Sequence, residues 1–183
     1  MSDHSAPHTP VQIISRGIER LNRAVGQAVS WLTLGMVLVM FGLVALRYFF
    51  DISWIWVQES ITWMHAAVFM LAAAYTLTED EHVRVDIFYR GFSARGKAIV
   101  NLVGTLVFLL PFTGFILWIS WEYVALSWSI NEGSQEAGGL PYPWVPLMKT
   151  FIPFAAVLLV LQGVAILLTS LQTILTTNDG AKA

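Results

Sequence analysis

Four long stretches of the chain contain no charged side chain. They cover 24–46, 60–78, 98–121 and 150–178, with lengths of 23, 19, 24 and 29 residues. A helix needs about 20 apolar residues to cross a hydrocarbon core of roughly 30 Å. The runs are continuous rather than alternating, and backbone in lipid must be hydrogen-bonded internally, so the pattern predicts helices rather than a β-barrel. We therefore expect an all-α integral membrane protein with four transmembrane helices, at about 24–46, 60–78, 98–121 and 150–175.

The residues outside these stretches are too few to form a soluble domain. We expect 1–23 to be an N-terminal tail and 179–183 a C-terminal tail, which leaves 24–178 as one four-helix membrane domain. Only 12 % of the 183 residues are charged, about half of the roughly 25 % that is usual in soluble domains. The chain contains no cysteine, which excludes disulfides and thiolate metal sites. The first apolar stretch is too long for a cleaved signal peptide, so we expect it to remain as a membrane anchor.

The distribution of Lys and Arg predicts the orientation. With four spans, both termini and the second loop lie on one side, which holds eight of the ten Lys and Arg residues, while Arg47 and Lys149 lie on the other. Because positive residues favour the cytoplasmic side, we expect both termini in the cytoplasm and the loops 47–59 and 122–149 on the opposite side. The formal net charge of −2 argues against nucleic acid as a partner, whereas membrane lipids are expected neighbours.

An aromatic, amphipathic segment separates the first two predicted spans. Trp54 and Trp56 follow closely on Tyr48, Phe49 and Phe50. Such side chains favour the level of the lipid headgroups. The segment therefore predicts either a short helix lying in the interface or an ordinary aromatic belt.

Small and polar residues inside the spans are candidates for helix packing. Ala28, Gly35 and Gly42 are seven residues apart, so they share a helix face that another helix could approach closely. The alternative is that glycine is simply frequent in membrane helices. In the fourth span, Gln162 and Gly163 could hydrogen-bond a neighbouring helix and let it approach, or else contact a substrate. We assign these five residues to subunit packing.

Ionisable side chains are scarce in the predicted spans. Glu59 lies where the second span begins, and the helix macrodipole stabilises a carboxylate there. His65 is the only histidine within the spans, so we expect it to pack or hydrogen-bond rather than to bind a metal or a cofactor. No acid lies inside any span, although ion-coupled carriers normally keep such groups near the membrane midplane. The chain therefore has too little chemistry to couple transport alone, and no enzyme site is visible.

The loop 122–149 is acidic and unevenly stiff. Glu132 and Glu136 lie in its glycine-containing part, and Pro141, Pro143 and Pro146 fix the backbone φ on the return to the membrane. Such a surface suits contact with a soluble partner. The alternative is that the loop only links two helices.

Four short stretches, in order along the chain, resemble a known family. They are Trp56-Val-Gln-Glu59, Glu81-His-Val-Arg-Val-Asp86, Gly138-Gly-Leu-Pro141 with Trp144 and Lys149, and Phe151-Ile-Pro153 with Leu161-Gln-Gly163. Together with the four spans, they resemble the small membrane subunit, a DctQ-like small permease, of the TRAP (tripartite ATP-independent periplasmic) transporters. The family often has a second acidic residue beside the position of Glu59, where this chain has Gln58 and Ser60. The positions that carry the resemblance are Trp56, Glu59, His82, Asp86, Gly139, Pro141, Lys149 and Pro153.

The resemblance implies a function in the bacterial inner membrane. Such transporters import organic acids or related solutes with a sodium gradient. A periplasmic substrate-binding protein delivers the solute, and a large membrane subunit holds the sodium and solute sites. This chain would be a scaffold that braces the large subunit, with Glu132 and Glu136 helping to dock the binding protein.

Two other functions remain open from the residues alone. A membrane anchor of a redox complex would need paired axial haem ligands, usually histidines. A small independent carrier would need an ionisable group inside a span.

Overall fold

The computed structural model describes residues 10–79 and 91–179, which form four long helices. Each is long and apolar enough to cross a membrane, and the described ranges contain no strand. The prediction of an all-α protein with four transmembrane helices is therefore confirmed. The helices are α1 (Pro10–Phe50), α2 (Ile55–Thr78), α3 (Ala94–Ser129) and α4 (Trp144–Asp179).

Helix α1 is much longer than the first uncharged stretch. It begins at Pro10 and runs for 41 residues; proline suits a helix start because the first helical N–H has no partner within the helix. At 1.5 Å per residue its length is about 60 Å, twice a hydrocarbon core of roughly 30 Å. Residues 10–23, expected as part of a tail, are therefore helical and continuous with the first span.

A tight turn connects α1 to α2. Asp51 has a φ of 56°, in the left-handed region. Its N–H donates to the Arg47 carbonyl at 3.2 Å, which is the bond of the αL motif that ends many helices. The Ile52 N–H donates to the Leu46 carbonyl at 3.3 Å. Helix α2 starts at Ile55, so the aromatic residues are divided between two helix ends and a short turn. The expectation of a separate interfacial helix is corrected, because no room remains for one.

Helix α4 lies at the centre of the bundle. It packs against α1, α2 and α3, and α1 also packs along α2. Alanines fill the tight contacts, since Ala156 on α4 and Ala67 and Ala74 on α2 are at most 2 % exposed. Small side chains let helices approach closely in a membrane, where van der Waals packing drives their association.

Helix α3 contains one wide turn. Residues Thr105–Leu109 are π-helical, and the Leu110 N–H donates to the Thr105 carbonyl. Pro111 follows directly; it has no N–H, and its ring would clash with a regular preceding turn, so the wide turn accommodates it. The wide turn packs on Gly163 of α4, where an added β-carbon would lie 2.9 Å from Leu110 and 3.2 Å from Leu109.

Candidate functional site

The loop between α3 and α4, residues 130–143, is held by a carboxylate of α2. The Ser134 hydroxyl and the Leu140 N–H both donate hydrogen bonds to the Glu59 carboxylate, the second at 2.6 Å. Glu59 lies beyond the first turn of α2, so its charge is stabilised by donors of the loop rather than by the helix end alone. Glu59 thus binds the loop at two points, and these partners could not be identified from its position in the sequence.

The start of α2 also binds the loop through its backbone. The Trp56 N–H donates to the Gly138 carbonyl at 3.1 Å, which satisfies one of the N–H groups that a helix leaves free at its first turn. Gly138 has a φ of 81°, which favours glycine. At Gly139, an added β-carbon would lie 2.7 Å from a Glu59 carboxylate oxygen, so only glycine fits at this approach.

The return of the loop to the membrane is anchored on Trp63 of α2. The Trp63 indole N–H donates to the Trp144 carbonyl at 3.1 Å. Its ring packs edge-on against Trp144 and Phe151, with ring centres 5.5 and 4.9 Å away. The Trp144 N–H in turn donates to the Pro141 carbonyl at 3.1 Å. The loop is therefore fastened at both ends of its glycine–proline stretch.

An ion pair closes the other side of the loop. The Lys149 Nζ lies 2.6 Å from a Glu132 carboxylate oxygen and 4.3 Å from the centre of the Tyr123 ring. The Ser127 hydroxyl donates to the same Glu132 oxygen at 2.6 Å. The hydrogen bonds from Lys149 and Ser127 hold the pKa of Glu132 below its usual range. Glu132 therefore keeps its charge, and its ion pair with Lys149, to a lower pH than a free carboxyl group would.

Glu136 is arranged differently from Glu132. Glu136 is exposed, and its backbone N–H donates to the Ser134 hydroxyl at 3.1 Å. The two glutamates expected to dock a soluble partner are therefore not equivalent. Glu136 presents its side chain outward, whereas Glu132 stabilises the loop from inside.

A buried polar pair links α1 to α4. The Asn22 amide donates from Nδ2 to Gln162 Oε1 at 2.8 Å, and the two residues are 0 % and 4 % exposed. Sequence reasoning selected Gln162 but missed Asn22, because Asn22 lies in the charged segment that was expected to be a tail. Away from water, such a pair fixes the relative positions of two helices.

The other packing candidates fall on two different surfaces. Gly163 packs on the wide turn of α3. Ala28 is exposed, an added β-carbon at Gly42 would meet nothing within 4 Å, and one at Gly35 would only touch Met64 at 3.5 Å. The close approach of α1 to its own chain is made by a different glycine, Gly26, which packs against Tyr75 of α2.

Two other candidates in the described part of the chain, Pro153 and His65, make no contact that indicates a binding site. Pro153 is buried inside α4, and His65 is exposed with its ring stacked at 6.3 Å on Phe69. His82 and Asp86 lie outside the described residues. Within residues 10–79 and 91–179, no group of three or more His, Asp or Glu side chains is placed to hold a metal ion.

Fold and site together define a multi-pass helical membrane protein whose polar contacts tie helices and one loop together. The chain matches the family model of the DctQ component of tripartite ATP-independent periplasmic transporters over residues 36–173. The chain belongs to this family, and it is therefore a small membrane component of a TRAP transporter. No curated protein and no solved structure matches it.

Proposed function

We propose that this chain is the scaffold subunit of a sodium-driven importer of an organic acid or related solute, in which it braces the large membrane subunit. The observation that supports this role is the uneven burial of its helices. In the most apolar window of each span, 39 % of α4 is buried, but only 6 % of α1, 17 % of α2 and 11 % of α3. Three helices thus present most of their apolar surface outward, as a brace for a partner within lipid requires.

The polar side chains of this chain that could bind an ion are already paired with each other or with the loop. Asn22 and Gln162 bind each other, and Glu59 and Glu132 bind loop groups and Lys149. These side chains stabilise the subunit rather than offer an ion pathway. We propose that sodium and solute bind to the large subunit, and that the exposed Glu136 helps to dock the periplasmic binding protein.

The scaffold role is tested by reconstitution. This chain alone, the large subunit alone and both together are placed in liposomes with a sodium gradient and the loaded binding protein. We expect solute uptake only with both subunits, and background uptake with this chain alone, because ion coupling requires ionisable sites within the membrane. Sodium-dependent uptake by this chain alone would instead support an independent carrier.

We also propose that both termini are cytoplasmic and that the loop 130–143 is periplasmic, in the bacterial inner membrane. The chain contains no cysteine, so single cysteines at Gln135 and Ala94, both exposed, report the two sides. In intact cells, a membrane-impermeant thiol reagent should label Gln135→Cys only, and both variants after permeabilisation. Labelling of Ala94→Cys alone in intact cells would reverse the orientation.

A further inference from the structure

One face of α1 points away from the bundle and carries a heptad pattern. Nine apolar residues follow one another at alternating spacings of three and four. Seven of the nine are exposed, and Gly35 and Gly42 are half-buried. Four heptads of this pattern are typical of a helix that pairs with another helix in a left-handed coiled coil. We call this face the α1 seam; it consists of Ile14, Gly17, Leu21, Ala24, Ala28, Trp31, Gly35, Leu38 and Gly42.

The opposite face of α1 is the one that packs on its own chain. The buried residues there are Ser15, Asn22, Gly26 and Val29, which are mostly polar or small. The first part of α1 therefore buries polar residues, while its exposed side carries apolar residues such as Ile14 and Leu21 together with the exposed Arg20 and Arg23. The hydrogen bond between Asn22 and Gln162 holds this part against α4, so it is not free to turn its apolar face onto the membrane surface.

Lipid tails cannot cover the whole α1 seam. From Ile14 to Gly42 the seam is about 42 Å long, whereas a hydrocarbon core is roughly 30 Å thick. Ile14 lies ten residues, or about 15 Å, before the first uncharged residue, Ala24, and the headgroup layer adds only about 6 Å on each side. The exposed Ile14 and Leu21, at 52 % and 47 %, lie among charged residues. A protein partner is therefore the cover that fits this end of the seam.

The side chains along the seam disfavour a second copy of the chain. Two copies in one membrane would be related by an axis along the membrane normal, so their α1 helices would be parallel and each Trp31 would meet its counterpart. Two facing Trp31 side chains would hold the helices apart, although Ala28 and Gly35 on either side allow a close approach. A different helix, with small residues opposite Trp31 and larger ones opposite Gly35 and Gly42, fits better. Arg20, exposed beside Leu21, suits an acidic side chain on that partner.

We propose that the α1 seam binds one long helix of the large membrane subunit, which follows α1 as a left-handed pair from the cytoplasm into the outer half of the bilayer. This inference rests on the proposed scaffold function and specifies which surface performs it. The cytoplasmic quarter of the contact, from Ile14 to Leu21, lies before the region matched by the family model, which begins at residue 36.

The test uses the complex purified through a tag on the large subunit. In Ile14→Gln with Leu21→Gln, two apolar side chains are lost from the contact, so recovery of this chain should fall to about a tenth of the wild-type value or less. The matched control is Leu175→Gln, which changes an exposed leucine of α4 (64 % exposed) outside the seam and should leave recovery unchanged. Thermal unfolding of the isolated subunit should be the same for all variants, because these side chains are exposed in it.

A photo-reactive side chain identifies the partner directly. Placed at Leu21 it should cross-link to the large subunit, whereas at Gln12, exposed on another face of α1, it should not. A cross-linked pair of this chain, or adducts with lipid only, would overturn the inference. If wild-type chain and large subunit do not co-purify, the scaffold function itself fails; if they do and the seam variants co-purify equally well, only the inference fails.

Discussion

Replacing Gly26 with alanine should destabilise the subunit by about 1–3 kcal/mol, the usual cost of overfilling a close-packed site. An added β-carbon at Gly26 would lie 2.8 Å from Tyr75 Cδ1 and nearer still to Tyr75 Cβ and Cγ. These atoms lie at the root of the side chain, so a rotation of the ring cannot clear them. Helices α1 and α2 would have to move apart, which should lower the midpoint of thermal unfolding of the purified subunit.

Gly114 offers the matched control for Gly26. It lies inside α3, and an added β-carbon there would meet nothing within 4 Å. Gly114→Ala should therefore be neutral or stabilising by up to about 1 kcal/mol, because alanine favours the helix. If Gly26→Ala proved as stable as Gly114→Ala, α1 and α2 would not be in close contact at Tyr75, and the prediction would be wrong.

The membrane spans could be predicted because a charge in lipid is costly wherever it lies along the chain. That rule is local, so uncharged runs such as 60–78 locate a span without any knowledge of its neighbours. The same rule does not predict where α1 starts, because Asn22 and the charged residues around it are compatible with a helix that continues beyond the bilayer. In the structure, contacts such as that of Asn22 with Gln162 and that of Arg23 with Glu79 hold this segment against the rest of the chain.

The choice between faces of a helix could not be made from the sequence. The seven-residue spacing of Ala28, Gly35 and Gly42 was recognised, but it applies equally to a contact within the subunit and to a contact with another protein. In the structure this face points outward. The close contact within the subunit is made by Gly26, which lies against Tyr75 and does not belong to the seven-residue series. Spacing defines a face, whereas its occupant depends on how the other helices pack.

The contacts between Glu59 and the loop could not be predicted from the sequence either. Its hydrogen-bond donors, Ser134 and Leu140, are 75 and 81 residues away along the chain. The family resemblance placed Trp56, Glu59 and Gly139 among its positions without indicating that they meet. The contact explains why these residue types occur together: a helix start offers an N–H and a carboxylate, and a glycine lets the loop reach them.

Replacing Glu59 with alanine should release the loop 130–143 from α2. The Ser134 hydroxyl and the Leu140 N–H would lose their acceptor, and a partly buried donor without a partner costs about 1–3 kcal/mol. The expected result is faster amide hydrogen exchange in the loop, above all at Leu140, with exchange in the middle of α4 unchanged. Glu136→Ala is the matched control, because it removes a negative charge from the same region and leaves both hydrogen bonds in place.

Glu59→Gln separates the hydrogen bonds from the charge. Its amide oxygen can accept from the Leu140 N–H while its NH₂ group donates to the Ser134 oxygen, so the geometry of the contact is kept without the charge. We expect protection of the loop to be largely restored in Glu59→Gln, because the Leu140 N–H and the Ser134 oxygen would each have a partner in the amide group. Equal loss of protection in the Gln and Ala variants would show that the charge of Glu59, rather than its hydrogen bonds, holds the loop. Unchanged protection in Glu59→Ala would contradict the anchoring of the loop by Glu59 altogether.

If the loop docks the binding protein as proposed, solute uptake at limiting binding protein should follow the same order, with Glu59→Ala the slowest and Glu59→Gln close to wild type.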